Sequence, residues 1–327
     1  VFIPLLSKVS LNQPIVMKTN ISLILILCLL LGACKNGNAS SQNKSETPQD
    51  TIKAIKMPAI PQMMTAPEQR ADFLAKHYWD NVNFADTNYI HHPEVTEQAW
   101  ADYCDLLNHV PLETAQQAMR NVIDRTNVDK KVFTYITDLA DKYLYDPNSP
   151  MRNEEFYIPV LEAMIASPVL NETEKIRPQA RLKLAQKNRI GTKALNFTYT
   201  LASGAQGSLY QLKAEYLLLF INNPGCQACT ETIEGLKNAP IINQLLQEKK
   251  LVLLSIYPDE ELDEWKKHLS EFPNEWINGY DKKFTIKEEQ VYDLKAIPTL
   301  YLLDKDKTVL LKDATAPAIE AYLMQHQ

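Results

Sequence analysis

The 327 residues carry 34 lysines and arginines against 40 aspartates and glutamates, a net charge of −6 with both signs mixed along the chain. This composition excludes the basic footprint of a nucleic-acid-binding protein. With five cysteines, it also excludes a fold stapled by many disulfides.

The chain begins with features of a targeting signal. Met17-Lys18 opens a positive region, residues 21–31 are apolar, and Leu31-Gly32-Ala33-Cys34 has the form of a bacterial lipobox. The apolar stretch is short for a bilayer span and ends in small residues. A cleaved signal peptide therefore fits better than a retained membrane anchor. Residues 1–16 read as an upstream extension before the better start at Met17. Residues 1–33 are thus expected to be removed and Cys34 lipidated, with several acyl chains as a membrane anchor. Lys35 follows Cys34, with no aspartate to suggest inner-membrane retention, so attachment to the outer membrane facing the periplasm is expected. Residues 34–56 lack aromatics and are rich in Asn, Ser, Gln, Thr and Lys, too polar to order themselves. As a flexible tether they reach roughly 25 Å, and beyond them about 270 residues remain, enough for two domains.

Residues 57–185 predict an all-α domain of about six helices. No glycine lies between Gly37 and Gly191, whereas hairpins usually need some. Trp100, Tyr103, Cys104, Leu107 and Val110 recur at helical spacing before Pro111. Leu112, Ala115, Met119, Val122 and Ile123 form the next stripe, and Val132, Phe133, Ile136, Leu139, Ala140, Tyr143 and Leu144 another. Asp146-Pro147-Asn148-Ser149-Pro150 is a turn. Asn171 with Glu174 has capping-box spacing for a last helix, which Pro178 is expected to kink or split. The basic residues Lys175, Arg177, Arg181, Lys183, Lys187 and Arg189 read first as a solvated face, with docking to the second domain or to anionic lipid as other options. Cys104 reads as a small buried hydrophobe, and Trp79 and Trp100 as core. His91-His92 reads as part of a turn; no second cluster supports a metal there.

Residues 186–327 alternate strand and helix, which predicts an α/β sheet covered by helices. Expected strands are 197–201, 217–222, 251–257, 299–303 and 308–312. Expected helices are 228–236, 241–247, 260–269, 287–294 and 317–324. Between the second strand and the first helix lies Cys226-Gln227-Ala228-Cys229, and about seventy residues later comes Ile297-Pro298-Thr299. Two thiols at this spacing can close a small disulfide, and unpaired N–H groups at a helix start favour the thiolate of the first. A structural disulfide and half a metal site are the other readings. A zinc site would want further Cys or His ligands, and His268 is the single histidine between Cys229 and Pro298.

The CxxC together with the segment from Ala296 to Asp306, the Gly191-Thr192-Lys193-Ala194-Leu195-Asn196-Phe197 stretch and Trp276-Ile277-Asn278-Gly279-Tyr280-Asp281 resembles the thioredoxin-like, TlpA/ResA-type thiol-disulfide oxidoreductases over residues 186–327. The helical part resembles modules that precede thioredoxin domains in some bacterial lipoproteins. Its most distinctive segment is the turn from Tyr145 to Arg152, which carries no known chemistry. The first resemblance implies a thioredoxin-like fold and a roster of roles. Cys226 is the nucleophile and Cys229 the resolving thiol. Pro298 is cis, which lays its loop beside the CxxC and leaves the Ile297 backbone free to pair with an extended substrate. Gly225, Gln227 and Thr299 border that substrate. The chain departs from the pattern at Gly225, where tryptophan is usual, at Gln227-Ala228 in place of Gly-Pro, and at Phe220, where thioredoxin carries a buried acid for proton transfer. Glu231 and Glu234 follow on the helix and read as solvated.

These readings converge on a lipid-anchored, two-domain thiol-disulfide oxidoreductase of the bacterial envelope. It is expected to act on protein disulfides, more as reductant than oxidant, with no cofactor or metal. A membrane electron-transfer protein would recycle it. The rival is a lipid-anchored binding lipoprotein in which the helical domain recognises a partner and the thioredoxin fold is mainly scaffold.

Overall fold

The computed structural model describes residues 54–326. The expected signal peptide, the lipidated Cys34 and nearly all of the tether lie outside these residues. The first half is helical: α1 (Pro67–His77), α2 (Pro93–Leu107), α3 (Leu112–Arg125), α4 (Lys130–Ala140), α5 (Glu154–Ala166) and α6 (Glu172–Ala185). Side-chain caps set several of the starts. Asp129 accepts the Lys131 and Val132 amides, Asn153 accepts that of Phe156, and Asn171 and Glu174 form a capping box. Each such cap is worth about 1 kcal/mol. The apolar stripes face one core. Trp79, Trp100, Tyr103 and Cys104 are buried in it, and the Trp79 ring centroid lies 5.6 Å from that of Tyr103 and 6.1 Å from that of Trp100.

Pro178 does not split α6. It sits inside a continuous helix, where it costs one N–H and is buried, and Pro159 is accommodated in α5 in the same way. After α4 the chain widens into a π-helical turn over Asp141–Tyr145 and enters the 146–152 turn. There the Asp146 carboxylate accepts the Asn148 amide at 2.8 Å, and Ser149 Oγ donates to the Tyr143 carbonyl at 2.6 Å. These bonds deliver Arg152 and the start of α5 to the second half of the chain. The described residues form one compact unit containing both halves.

The second half is a mixed seven-stranded sheet in the order β2-β1-β5-β4-β3-β6-β7. The strands are β1 (Thr198–Leu201), β2 (Gln206–Ser208), β3 (Tyr216–Ile221), β4 (Leu251–Tyr257), β5 (Ile277–Tyr280), β6 (Thr299–Asp304) and β7 (Val309–Lys312). The β3–β4 and β4–β5 pairs are parallel, and β6 runs antiparallel to β3. The central strands are apolar on both faces, as a sheet covered on both sides requires. Leu218, Phe220, Leu300 and Leu302 join the core on one face, and Leu217, Leu219, Ile221, Tyr301 and Leu303 that on the other. Helices α7 (Gln227–Lys237), α8 (Pro240–Gln247) and α11 (Ala316–Gln325) cover the first face. Helix α9 (Leu262–Lys267) follows β4.

The sheet holds two strands beyond those expected, and one expected helix is corrected. Residues 277–280 form β5 because they complete the sheet beside β4, although Asn278 and Gly279 have weak strand propensity. Residues 206–208 add a short hairpin strand that a three-residue polar segment does not announce. The helix expected at 287–294 is the short α10 (Thr285–Glu288). Asp281 starts it by accepting the Ile286 amide at 2.6 Å. The chain leaves the helix at Gln290 with a φ of 50°, so Tyr292 can pack in the core against Phe197 and Tyr301.

Candidate redox site

β3 runs out of the sheet through Asn222, Asn223, Pro224 and Gly225 into α7. Gly225 has a φ of +71°, and a Cβ there would meet nothing within 4 Å. The backbone turn, rather than crowding, therefore demands glycine where tryptophan is usual. Cys226 is the N-cap of α7 and its carbonyl accepts the Thr230 amide at 3.0 Å. Its thiol is half-buried, and the Sγ lies 3.9 Å from the Ile297 carbonyl oxygen. The Ile297–Pro298 peptide is cis. The fold thus brings together two segments some seventy residues apart. Gln227 is exposed on the first turn of α7, its amide donating to Glu231 at 2.9 Å. Thr299 is buried, and its hydroxyl donates to Asp313 Oδ1 at 2.7 Å, so the side chain serves the loop rather than an open groove.

Cys229 lies one turn inside α7 and is 2% exposed. The Asn223 backbone amide donates to its sulfur at 3.5 Å. Burial pushes its thiol pKa up to about 12, with the neighbouring Cys226 adding to the rise and the Asn223 bond opposing it. Cys226, Cys229 and Cys104 are all free thiols. Phe220 is fully buried under α7, edge-on to Trp276, so it offers no proton acceptor. A buried polar pair nearby is Asn222, just past β3, and Ser255 within β4, joined at 2.8 Å. Release of a product held on Cys226 through attack by Cys229 should therefore accelerate roughly tenfold per pH unit from pH 7 to 10, because the thiolate fraction of so weak an acid grows in that proportion. Stopped-flow measurement of the resolving step checks this; a rate flat over that range would refute it.

Several residues that shape the site escape sequence reading. Asn223 is held by Asp259, whose carboxylate takes the Asn223 amide at 3.0 Å and the Lys287 ammonium at 2.8 Å. Lys295 and Asp313 brace the loop of Pro298 from the sides. The position of Asn223, between an apolar run and CxxC, is the only signal that could have flagged it. The basic run is a solvated face only in part: Arg177 and Lys183 stay exposed, while Arg181, Lys187 and Arg189 are partly buried. Arg177 and Arg181 pair with Asp141, and Arg189 with Glu155. Lys187 donates to the carbonyls of Glu289 and Gln290 at 3.1 and 2.6 Å. Asp141 draws Arg177 and Arg181 within the helical half, whereas Glu155 and the 289–290 carbonyls draw Arg189 and Lys187 across the two halves. His92 faces Glu94, and His268 faces Glu264 and Glu271. Among the described residues no group of three His, Cys, Asp or Glu is placed to hold a metal.

The crystal structure of a thioredoxin-like protein from Bacteroides caccae superimposes with a TM-score of 0.83 at 84% identity, covering 85% of this chain and all of that one. The chain belongs to the thioredoxin-like family. The family described as thioredoxin-like matches residues 214–309, and a domain of unknown function, DUF5106, matches residues 33–188. The C-terminal domain of an uncharacterised Bacteroides fragilis protein is 69% identical over 42% of this chain and 98% of its own, with a TM-score of 0.41. A domain of a possible thiol-disulfide isomerase from Cytophaga hutchinsonii is 26% identical over 43% of this chain and 95% of its own, with a TM-score of 0.38. No curated protein matches.

Proposed function

We infer that this thioredoxin-like protein is a thiol-disulfide oxidoreductase that reduces or exchanges protein disulfides through Cys226 and Cys229. One observation carries the reading. A half-exposed thiol caps a helix beside the carbonyl that precedes a cis-proline, with a second thiol buried one turn behind it. The Cys226 thiolate attacks one sulfur of a substrate disulfide, forming a mixed disulfide and expelling the other substrate sulfur as thiolate. The Cys229 thiolate then attacks Cys226 Sγ, closing the Cys226–Cys229 disulfide and releasing the second substrate thiol. The substrate gains two electrons and the protein loses two, so a reductant such as a membrane electron-transfer protein must restore the dithiol. Ile297 pairs with the substrate backbone, Pro298 shapes that edge, and Gly225 and Gln227 border it.

Cys34 is the lipidation site in this reading and holds the protein in the envelope, at the outer membrane facing the periplasm. No helix among the described residues is long and apolar enough to cross a membrane. The reduced protein should convert a disulfide-bonded peptide to its dithiol in stoichiometric amount, read by mass spectrometry, and a Cys34→Ala form should leave the membrane fraction with this activity intact. No peptide reduction by the full dithiol form would overturn the exchange reading, and unchanged membrane association of the variant would overturn the anchor.

A further inference from the structure

The loop bearing Ile297 and Pro298 is tied to the helical half on both sides. Two residues before Ile297, the Lys295 ammonium lies 3.2 Å from Glu154, 3.1 Å from Asp293 and 3.4 Å from Asp313. Directly after Pro298, the Thr299 hydroxyl donates to the same Asp313. Arg152 donates to the Asp313 carbonyl at 2.8 Å, and Lys312 pairs with the second oxygen of Glu154. The Lys295 ammonium also lies 5.2 Å from the centroid of the Tyr145 ring, over which Arg181 stacks at 4.0 Å. Arg152 and Glu154 come from the 146–152 turn and the first residue of α5. Asp293, Lys295, Lys312 and Asp313 belong to the thioredoxin-like half.

Three cations, Arg152, Lys295 and Lys312, thus meet three carboxylates, Glu154, Asp293 and Asp313. The Lys295, Lys312 and Asp293 side chains are each under a tenth exposed. Such a cluster is a weak source of stability, because desolvation cancels most of the attraction and apolar packing would serve as well. It does provide position, since a fully satisfied buried network admits one arrangement. The arrangement specified here is that of residues 295–299, whose Ile297 carbonyl faces the Cys226 thiol.

We propose that Arg152 and Glu154 are positioning residues for the redox site, through which the helical half holds residues 295–299 in the register that pairs with the backbone of a disulfide-bearing peptide. This rests on the exchange reading above and gives the helical half a task in that chemistry. A substrate that uses the Ile297 edge depends on the clamp. A small aromatic disulfide, which has no backbone to pair, depends on it little.

Glu154→Gln and Arg152→Met in the full chain test this. For each, KM toward a disulfide-bonded peptide should rise about tenfold with kcat little changed, since a loop displaced by a fraction of an ångström loses its pairing geometry. The rate with a small aromatic disulfide should stay within about twofold of wild type. Arg152→Lys, which keeps a donor for the Asp313 carbonyl, should recover most of the peptide KM. Deuterium uptake over 293–299 should accelerate in Glu154→Gln and Arg152→Met while strands β3 and β4 stay protected. An unchanged peptide KM, equal slowing of both disulfides, or unchanged uptake over 293–299 would overturn the proposal. If the wild-type protein reduced neither disulfide, the exchange reading would fall, and deuterium uptake would still decide whether the helical half holds the loop.

Discussion

A Cys226→Ser protein should reduce disulfides at less than about a thousandth of the wild-type rate, because the thiolate is the attacking species and a serine hydroxyl stays protonated. Cys229→Ser should behave differently. Its Cys226 remains at the helix start beside Ile297, so attack proceeds and stops at the mixed disulfide, the resolving thiol being absent. Non-reducing electrophoresis followed by mass spectrometry would find the substrate joined to Cys226. The contrast tests the order of events as well as the identity of the thiols. Burial of Cys229 to 2% exposure keeps substrate sulfur from reaching it first. In the wild-type dithiol, alkylation should therefore be far faster at Cys226. Full exchange in the Cys226→Ser protein, together with equal alkylation of the two wild-type thiols, would reject the assignment.

Asp313→Ala should be the most destabilising of the single charge deletions, at about 3–5 kcal/mol, because it strands buried cations without a counter-charge. That corresponds to a fall of roughly 10 °C in Tm. Burial acts to raise the Asp313 pKa, but Lys295, Arg152, the Thr299 hydroxyl and Lys312 outweigh it and hold the carboxyl below its usual value. A depressed folded-state pKa stabilises at pH values above the unfolded pKa of about 4, and the contribution drains away as pH falls through the folded one. The gap between wild type and Asp313→Ala should accordingly be full at pH 7 and narrow in acid below about pH 4. Lys295 works in the opposite direction. Burial lowers its pKa, yet Asp313, Glu154 and Asp293 together raise it above the ordinary lysine value. Its contribution is present below the unfolded lysine pKa and is lost as pH rises through the higher folded one. Denaturant titrations across pH would measure both effects; a gap that stays constant into acid would contradict the assignment to Asp313.

Much of the fold was legible because its signals are local. A 3.6-residue apolar period and the capping box of Asn171 and Glu174 are written within one or two turns of chain. The central strands announce themselves as continuous apolar runs because both their faces are buried. The two cysteines and the Ile-Pro-Thr segment could be named because their spacing is itself the chemical signal. Strand β5 was not legible, since Asn278 and Gly279 become a strand only when β1 and β4 supply partners on either side. Pro178 was misleading for a related reason: its burial within the packed helical half offsets one missing hydrogen bond.

Local sequence determined the helical and α/β halves, the positions of the two thiols and the proline that faces them. It could not show that Gly225 is required by a left-handed turn, that Thr299 gives its hydroxyl to Asp313, or that Arg152 and Glu154 reach the loop of Pro298. Those outcomes depend on groups up to about 160 residues apart, such as Arg152 and Asp313. Charged side chains carry no period that marks them for burial; each reads as a surface residue until its counter-charge arrives from the other half of the chain. Tertiary packing alone turned a run of ordinary-looking charges into the brace of a candidate redox site.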